Sequence, residues 1–179
     1  MNKKYNNIIY DDLGILVIEA LGRDGVSCTF VLDSQDRDLL NLWWRIDWNG
    51  YPTNITWIKE DKVSKCKHTK LHRVISARMN NGVPYKLVDH HNRDKTDCRR
   101  ENIRSATNTQ NAANRTPNKN TVSCFRGVSR NGNRWRARVI FHRESYYAGT
   151  FDTEIEAAKA CDELGFKLHG EFYTKNFRT

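Results

Sequence analysis

Residues 88–111 read VDHHNRDKTDCRRENIRSATNTQN, and this is the most informative stretch of the chain. Hydrolysis of a phosphodiester needs a base that deprotonates water and a cation that neutralises the phosphate and the leaving oxygen. Asp89 offers the hard carboxylate oxygens that Mg²⁺ accepts, and His90 titrates near neutrality and can act as the base. The adjacent pair therefore indicates a metal-dependent hydrolytic site.

The Asp-His pair alone is a weak signal, because a surface histidine pair is usually only solvated. Neighbouring residues of an extended strand point to opposite faces, so the two groups share one site only if the strand bends or ends here. The spacing strengthens the signal, since Asn102 follows His90 by twelve positions and Asn111 follows Asn102 by nine. His91 is a second imidazole in the stretch, and only this spacing favours His90 over it.

Several coupled motifs make the chain resemble the HNH nuclease family, in its group-I-intron homing form. They are, in order, Leu71-His72-Arg73, Val88-Asp89-His90, Asn102-Ile103-Arg104 and Asn111. The resemblance implies that His90 is the general base and that Asn102 holds the loop between strand and helix. It also implies that Asp89 and Asn111 coordinate one divalent ion, Mg²⁺ with Mn²⁺ as a substitute.

The resemblance further implies a metal finger of two strands and one helix, the ββα-metal core, over about residues 70–115. Thr107 can cap a short helix over residues 108–114, which would carry Asn111 towards the strand pair. The Leu-His-Arg motif is expected on a strand, with His72 structural or near a phosphate. Arg73 and Arg104 are candidate DNA contacts, and simple packing is the alternative for His72 and Arg73.

The N-terminal residues predict short strands ahead of this core. Residues 15–18 and 28–32 are apolar and β-branched, and Asp24-Gly25 is a turn signal between them. Asp33 or Ser34 can cap a short helix or turn, and a bulky apolar cluster is expected in the core: Trp43, Trp44, Ile46 and Trp48. We assign residues 1–115 to one nuclease domain.

Residues 116–122 have the polar composition of a linker, and the pattern changes after them. Apolar side chains from Trp135 to Phe141 alternate with Arg134, Arg136 and Arg138, which predicts a strand with one buried and one basic face. Asn131-Gly132 predicts a hairpin with residues 125–130. A third strand over residues 145–151 and a helix with a Thr153 to Glu156 capping box should follow.

Residues 123–179 resemble the AP2/ERF DNA-binding domain over its full length. The motifs are Phe125-Arg126-Gly127-Val128, Trp135-Arg136-Ala137, Gly149-Thr150-Phe151-Asp152-Thr153, Glu156-Ala157-Ala158, and Gly170 through Asn176-Phe177. The resemblance implies a three-stranded antiparallel sheet, packed on one helix, that lies in the DNA major groove. The implied DNA contacts are Arg126, Arg130, Arg136, Arg138 and Tyr147. Arg134, on the same basic strand, is a further candidate.

The composition agrees with a polyanionic partner, because 30 Lys and Arg against 21 Asp and Glu give a formal charge of +9. No apolar run reaches the ~20 residues of a membrane span, and no export signal precedes Asp11. The five scattered cysteines form no C-x-x-C pair and predict free thiols in a reducing compartment. We therefore expect a cytoplasmic protein without an obligatory protein partner.

The sequence as a whole predicts an α+β, site-directed endonuclease of double-stranded DNA, resembling the homing endonucleases of mobile elements. A non-catalytic DNA-binding regulator on a degenerate HNH scaffold is the alternative. An RNA-binding module is disfavoured, because an arginine-rich sheet fits the open major groove of B-DNA better than the narrow one of A-form RNA.

Overall fold

The chain forms two separately packed units of mixed helix and strand. A computed structural model describes residues 6–22, 24–60, 63–115 and 122–177. Its contacts divide the chain into Met1–Ser105 and Ala106–Thr179. The α+β class is thus confirmed, with a mixed sheet in the first unit and a three-stranded antiparallel sheet packed on a helix in the second.

The first unit is built on a mixed sheet that includes both strands predicted near the N-terminus. In the second strand Leu16, Ile18 and Ala20 are buried at every other position, and Phe30 and Leu32 repeat this in the third. Alternation of this kind buries one face of a sheet. The strands are β1 (Asn7–Asp12), β2 (Ile15–Leu21), β3 (Ser27–Asp33), β4 (Arg45–Ile46), β5 (Pro52–Glu60) and β6 (Val63–Lys70).

A 3-10 helix, Ser34–Asn41, follows β3 where a short helix or turn was predicted, although the Asp33 side chain makes no capping hydrogen bond. Trp44 is fully buried next to it and donates from Nε1 to the Leu39 carbonyl at 2.8 Å. The predicted apolar cluster is wrong for Trp48, which is 77% exposed. Trp48 lies in the turn after β4, where the strand that carries Ile46 inward has ended.

The next elements of the first unit are one helix and two very short strands. They are α1 (Leu71–Met79), β7 (Val88–His90) and β8 (Ile103–Ser105). The expectation of a strand at Leu71–Arg73 is wrong, because Leu71 and Ile75 stand four residues apart and are both fully buried, which is the spacing of one helix face. Both side chains join the same core as Phe30 and Trp44.

A buried carboxylate ties these elements to the sheet. Asp36, on the 3-10 helix, is 0% exposed and accepts a hydrogen bond from Arg78 Nη1 at 2.8 Å. Arg100 donates to the same carboxylate from Nε at 3.0 Å and Nη2 at 2.9 Å. The segment before Arg100 pairs with the edge of β3, where Cys98 N donates to the Val31 carbonyl at 2.8 Å.

The second unit starts with α2 (Asn108–Ala113), where the predicted Thr107 cap is confirmed. The Gln110 backbone N donates to Thr107 Oγ1 at 3.2 Å, and the Gln110 side chain accepts from the Thr107 N at 2.8 Å. The other elements are β9 (Val128–Asn131), β10 (Arg134–Phe141), β11 (Glu144–Phe151), α3 (Glu154–His169) and a 3-10 turn, Gly170–Phe172.

The predicted hairpin, third strand and long helix of this unit are confirmed, with one shift. Asn131 pairs with Arg134, so the two turn residues are Gly132 and Asn133, one position later than the sequence suggested. Ala137 and Val139 are buried on the α3 side of the sheet, and Thr153 caps α3 through the expected capping box. The alternation in β10 therefore sets the buried face.

The structure also bears on the predicted linker, the cysteines and the absence of a membrane span. Of the predicted linker 116–122, residues 116–121 lie outside the described residues. All five cysteines are free thiols. In the described part of the chain, no helix is long and apolar enough to cross a membrane.

Replacing Asp36 tests the anchor of the first unit. Asp36→Ala removes charged hydrogen bonds to Arg78 and Arg100, so the free energy of unfolding should fall by about 1.5–3 kcal/mol. Urea unfolding followed by tryptophan fluorescence reports on this unit, because four of the five tryptophans precede residue 105. The control, Asp38→Ala, removes an exposed partner of the same Arg78 and should cost no more than about 1 kcal/mol. Equal effects would contradict the anchoring role.

Candidate active site and arginine face

Asp89 and His90 occupy the end of β7 and are both buried, at 4% and 6% exposure. The three-residue strand pairs antiparallel with β8, which places Asp89 opposite Arg104 and His90 opposite Ile103. Arg104 contacts Asp89 Oδ2 from Nε and from Nη2, both at 2.9 Å. The ion pair fixes the orientation of the carboxylate.

The His90 ring packs in a cluster of three rings. Its centroid lies 5.1 Å from that of His72 in an edge-on arrangement and 5.8 Å from that of Tyr51. The Tyr51 and His72 rings are 4.8 Å apart. Tyr51 immediately precedes β5 and His72 lies on α1, so the sheet and the helix together hold the imidazole.

The protonation of this cluster follows from its burial. Burial lowers the pKa of His90, with the charge of Asp89 opposing the shift, so the imidazole is neutral at pH 7 and able to accept a proton. Burial also lowers the pKa of His72 to about 3, and His90 adds to that effect. His72 Nδ1 has no hydrogen-bond partner among the described residues, which agrees with a neutral packed ring.

Two lysines lie over the Tyr51 ring. Lys70 Nζ is 4.2 Å and Lys95 Nζ 4.9 Å from the ring centroid, and Lys95 also donates to the Asn49 carbonyl at 2.9 Å. Two positive side chains thus lie next to the ring that contacts His90, and they could attract a phosphate. The sequence did not reveal Tyr51, because no spacing relates residue 51 to the Asp-His motif. It did not reveal Lys70 and Lys95 either, because their role depends on their contact with the Tyr51 ring.

Asn102 holds the loop between β7 and β8. Its Nδ2 donates to the Asp97 carbonyl at 2.8 Å, and its Oδ1 accepts from the Asn92 backbone N at 2.8 Å. The Asn102 carbonyl accepts from the His91 N at 2.8 Å. His91 itself is exposed at the start of this loop, whereas His90 is buried in the ring cluster.

The proposed metal ligands are a carboxylate and an amide oxygen, a donor set that fits Mg²⁺. Mg²⁺ in proteins is commonly bound through one or two carboxylates and keeps several waters. Among the described residues, no group of three or more His, Cys, Asp or Glu side chains could hold a metal. Asn111 lies half-buried on α2, in the second unit, and its role as a ligand stays a prediction.

The second unit presents an arginine face, formed by the exposed side of β10. Arg134, Arg136 and Arg138 point away from α3, and Tyr147 pairs opposite Arg138 on β11. Arg136 Nη2 donates to Asn131 Oδ1 at 2.8 Å, and the Tyr147 hydroxyl lies 2.7 Å from Thr150 Oγ1. A shallow groove on this face is lined by Asn131, Arg136, Arg138, Ser145, Tyr147 and Thr150.

Two of the other predicted DNA contacts of this unit lie elsewhere. Arg130 pairs opposite Trp135, so it belongs to the other face of the sheet, with its guanidinium 4.3 Å from the indole. Arg126 is half-buried and donates to backbone carbonyls at the end of α2. In the first unit, Arg73 is exposed on α1. The structure therefore brings only Arg134, Arg136, Arg138 and Tyr147 to one face.

Residues 69–113 match the model of a nuclease family. That family is the HNH endonuclease, so the chain carries an HNH endonuclease domain at these residues. The match includes His72, Asp89, His90, Asn102 and Asn111, but not Tyr51. HNH nucleases generally use a divalent metal ion and act on DNA. No curated protein matches the chain.

The pKa of His72 predicts an acid-sensitive first unit. Because the folded pKa, about 3, lies below the ordinary 6.5, the stability it contributes is complete above pH 6.5 and is lost as the pH falls towards 3. The slope is ~1.4 kcal/mol per pH unit. In His72→Gln this slope should disappear, so the stability difference from the wild type should be constant above pH 7 and change steadily from pH 6 to pH 5 in urea unfolding. Parallel profiles would show that His72 is not the titrating group.

Proposed function

We propose that this protein is a site-directed endonuclease that hydrolyses phosphodiester bonds of double-stranded DNA with one divalent ion, Mg²⁺ or Mn²⁺ in its place, and that it acts as a homing endonuclease of a mobile element. The observation that carries the hydrolytic role is the buried His90, packed against His72 and Tyr51 beside Asp89, within the HNH segment. This arrangement supplies a neutral base next to a carboxylate.

His90 takes the proton from the attacking water. Its lowered pKa keeps the imidazole unprotonated at neutral pH, and the rings of Tyr51 and His72 limit how the imidazole can turn. The divalent ion, held by Asp89 and Asn111, would neutralise charge on the phosphate and the leaving oxygen. Asn102 keeps the loop after β7 in place. The products of the reaction carry 5′-phosphate and 3′-hydroxyl ends.

Positive side chains around the ring cluster bind the phosphate backbone. Lys70 and Lys95 lie over the Tyr51 ring, and Arg73 is exposed one residue after His72. Arg104 forms an ion pair with Asp89 and orients its carboxylate. We therefore assign Arg104 a supporting role rather than a DNA contact.

The arginine face binds duplex DNA, in the manner of the AP2/ERF domain that residues 123–179 resemble. A strand pair fits the major groove, and arginine recognises guanine through bidentate hydrogen bonds to O6 and N7. The support is the alignment of Arg134, Arg136, Arg138 and Tyr147 on one exposed face of β10 and β11. In this division, residues 1–115 cut, residues 116–122 link and residues 123–179 read the site.

Replacing the base should abolish cleavage without loss of binding. His90→Ala removes the proton acceptor, so the single-turnover rate on supercoiled plasmid with Mg²⁺ should fall on the order of 10²–10⁴-fold. DNA affinity, measured without metal, should stay close to that of the wild type. His91→Ala is the matched control, since this neighbouring imidazole is exposed, and it should cleave normally. A dead His91→Ala with an active His90→Ala would reverse the assignment.

The arginine face makes a separate prediction about binding. If Arg136 or Arg138 reads a base, its alanine variant should lose about 1–3 kcal/mol of affinity and relax preference at one position. If it contacts phosphate, all sequences should weaken alike and the slope of log affinity against log salt should fall by ~0.9. Lys159→Ala removes an exposed charge from α3 and should do neither. Unchanged affinity in both arginine variants would remove the DNA role from this face.

A further inference from the structure

The last carbonyls of α2 accept hydrogen bonds from Arg126, in the same unit. Arg126 donates from Nη2 to the Ala112 carbonyl at 3.0 Å, and from Nη1 to the carbonyl of Ala113 and, at 3.5 Å, to that of Arg115. The final carbonyls of a helix have no partner within the helix, and a positive charge near them is favourable. Arg126 therefore caps the C-terminal end of α2.

Contacts to Tyr173 and Asn176 restrain both the guanidinium and the backbone of Arg126. Its guanidinium lies over the Tyr173 ring at 5.1 Å, its backbone N donates to Asn176 Oδ1 at 2.7 Å, and its carbonyl accepts from Asn176 Nδ2 at 3.2 Å. Tyr173 approaches α3 at Gly165, where a Cβ atom would stand 2.1 Å from the ring. A side chain restrained in this way has little freedom to turn towards DNA.

Thr174 adds a second connection to the same end of α2. Its backbone N donates to the Ala113 carbonyl at 3.2 Å, and its Oγ1 donates to Asn114 Oδ1 at 2.8 Å. Arg126 and Thr174 come from before β9 and after α3, so both ends of the residue 122–177 segment contact α2.

The helix needs these contacts because it is short. α2 has six residues, whereas an isolated helix below roughly 12–15 residues is marginal in water. Ala113 is its only buried residue, so its own side chains contribute little packing. The Thr107 cap at one end and the Arg126 and Thr174 contacts at the other satisfy backbone groups that the helix leaves unpaired.

We propose that Arg126 and Thr174 are positioning residues for α2, and through it for Asn111. The proposal rests on the proposed function, in which Asn111 is a metal ligand. It assigns Arg126 a role in the nuclease rather than in DNA contact. An outer partner that orients a ligand typically contributes 10–100-fold to metal affinity or activity.

The test uses the full chain with Arg126→Ala, Arg126→Lys and Thr174→Val. Amide hydrogen exchange of residues 111–114, measured without metal or DNA, should be faster in Arg126→Ala and Thr174→Val. The Mg²⁺ concentration for half-maximal nicking should rise about 10–100-fold in Arg126→Ala and less in Thr174→Val, with partial recovery in Arg126→Lys. DNA affinity without metal should be unchanged in all three.

Arg136→Ala is the matched arginine control. It should weaken DNA binding while leaving the exchange of residues 111–114 and the Mg²⁺ requirement as in the wild type. If Arg126→Ala instead behaves like Arg136→Ala, Arg126 is a DNA contact and the proposal is wrong. Fast exchange in Arg126→Ala with an unchanged Mg²⁺ requirement also overturns it.

Failure of the proposed function looks different. A wild-type chain that cuts no DNA with Mg²⁺ or Mn²⁺ would remove the nuclease assignment, and Asn111→Ala with a normal Mg²⁺ requirement would remove the ligand. The exchange measurement needs neither metal nor cleavage, so it still decides whether Arg126 and Thr174 hold α2.

Discussion

The first unit depends on one buried carboxylate. Asp36 lies on the 3-10 helix after β3. It accepts hydrogen bonds from Arg78 on α1 and from Arg100 in the loop that leads into β8. A buried charge is tolerated only when it is paired and hydrogen-bonded, so these elements have one arrangement that satisfies all three groups. That arrangement holds α1 and β8 near the N-terminal sheet, and β7 contacts both of these elements.

The geometry around His90 is a product of this packing rather than of the motif alone. β7 and β8 have three residues each, and an isolated two-stranded pair is marginally stable at best in water. Ile103 from β8 and Leu71 from α1 enter the same core as Phe30 and Trp44 from the sheet and its connection. The position of His90 against Tyr51 and His72 follows from that shared core.

The sequence predicted what local patterns determine. The strand alternation around Leu16 and Phe30, the Thr107 and Thr153 caps and the basic side of β10 are properties of neighbouring residues, and all were confirmed. Side-chain partners that depend on long-range packing were missed. Tyr51 reaches His90 only through the folded sheet, Arg130 changes face because of its register with Trp135, and the partners of Arg126 are set by how α2 packs. The strand expected at the Leu-His-Arg motif came from the family resemblance and is wrong, because the burial of Leu71 and Ile75 at helical spacing depends on the core that they join.

The boundary between the two units falls inside the HNH segment, after Ser105 and before α2. A gene fusion that replaced residues 122–179 would therefore leave α2 without the contacts of Arg126 and Thr174. A replacement segment would have to supply its own hydrogen-bond donors to the last carbonyls of α2. The residues that match the HNH endonuclease family thus end in a helix whose C-terminal contacts come from residues outside the match.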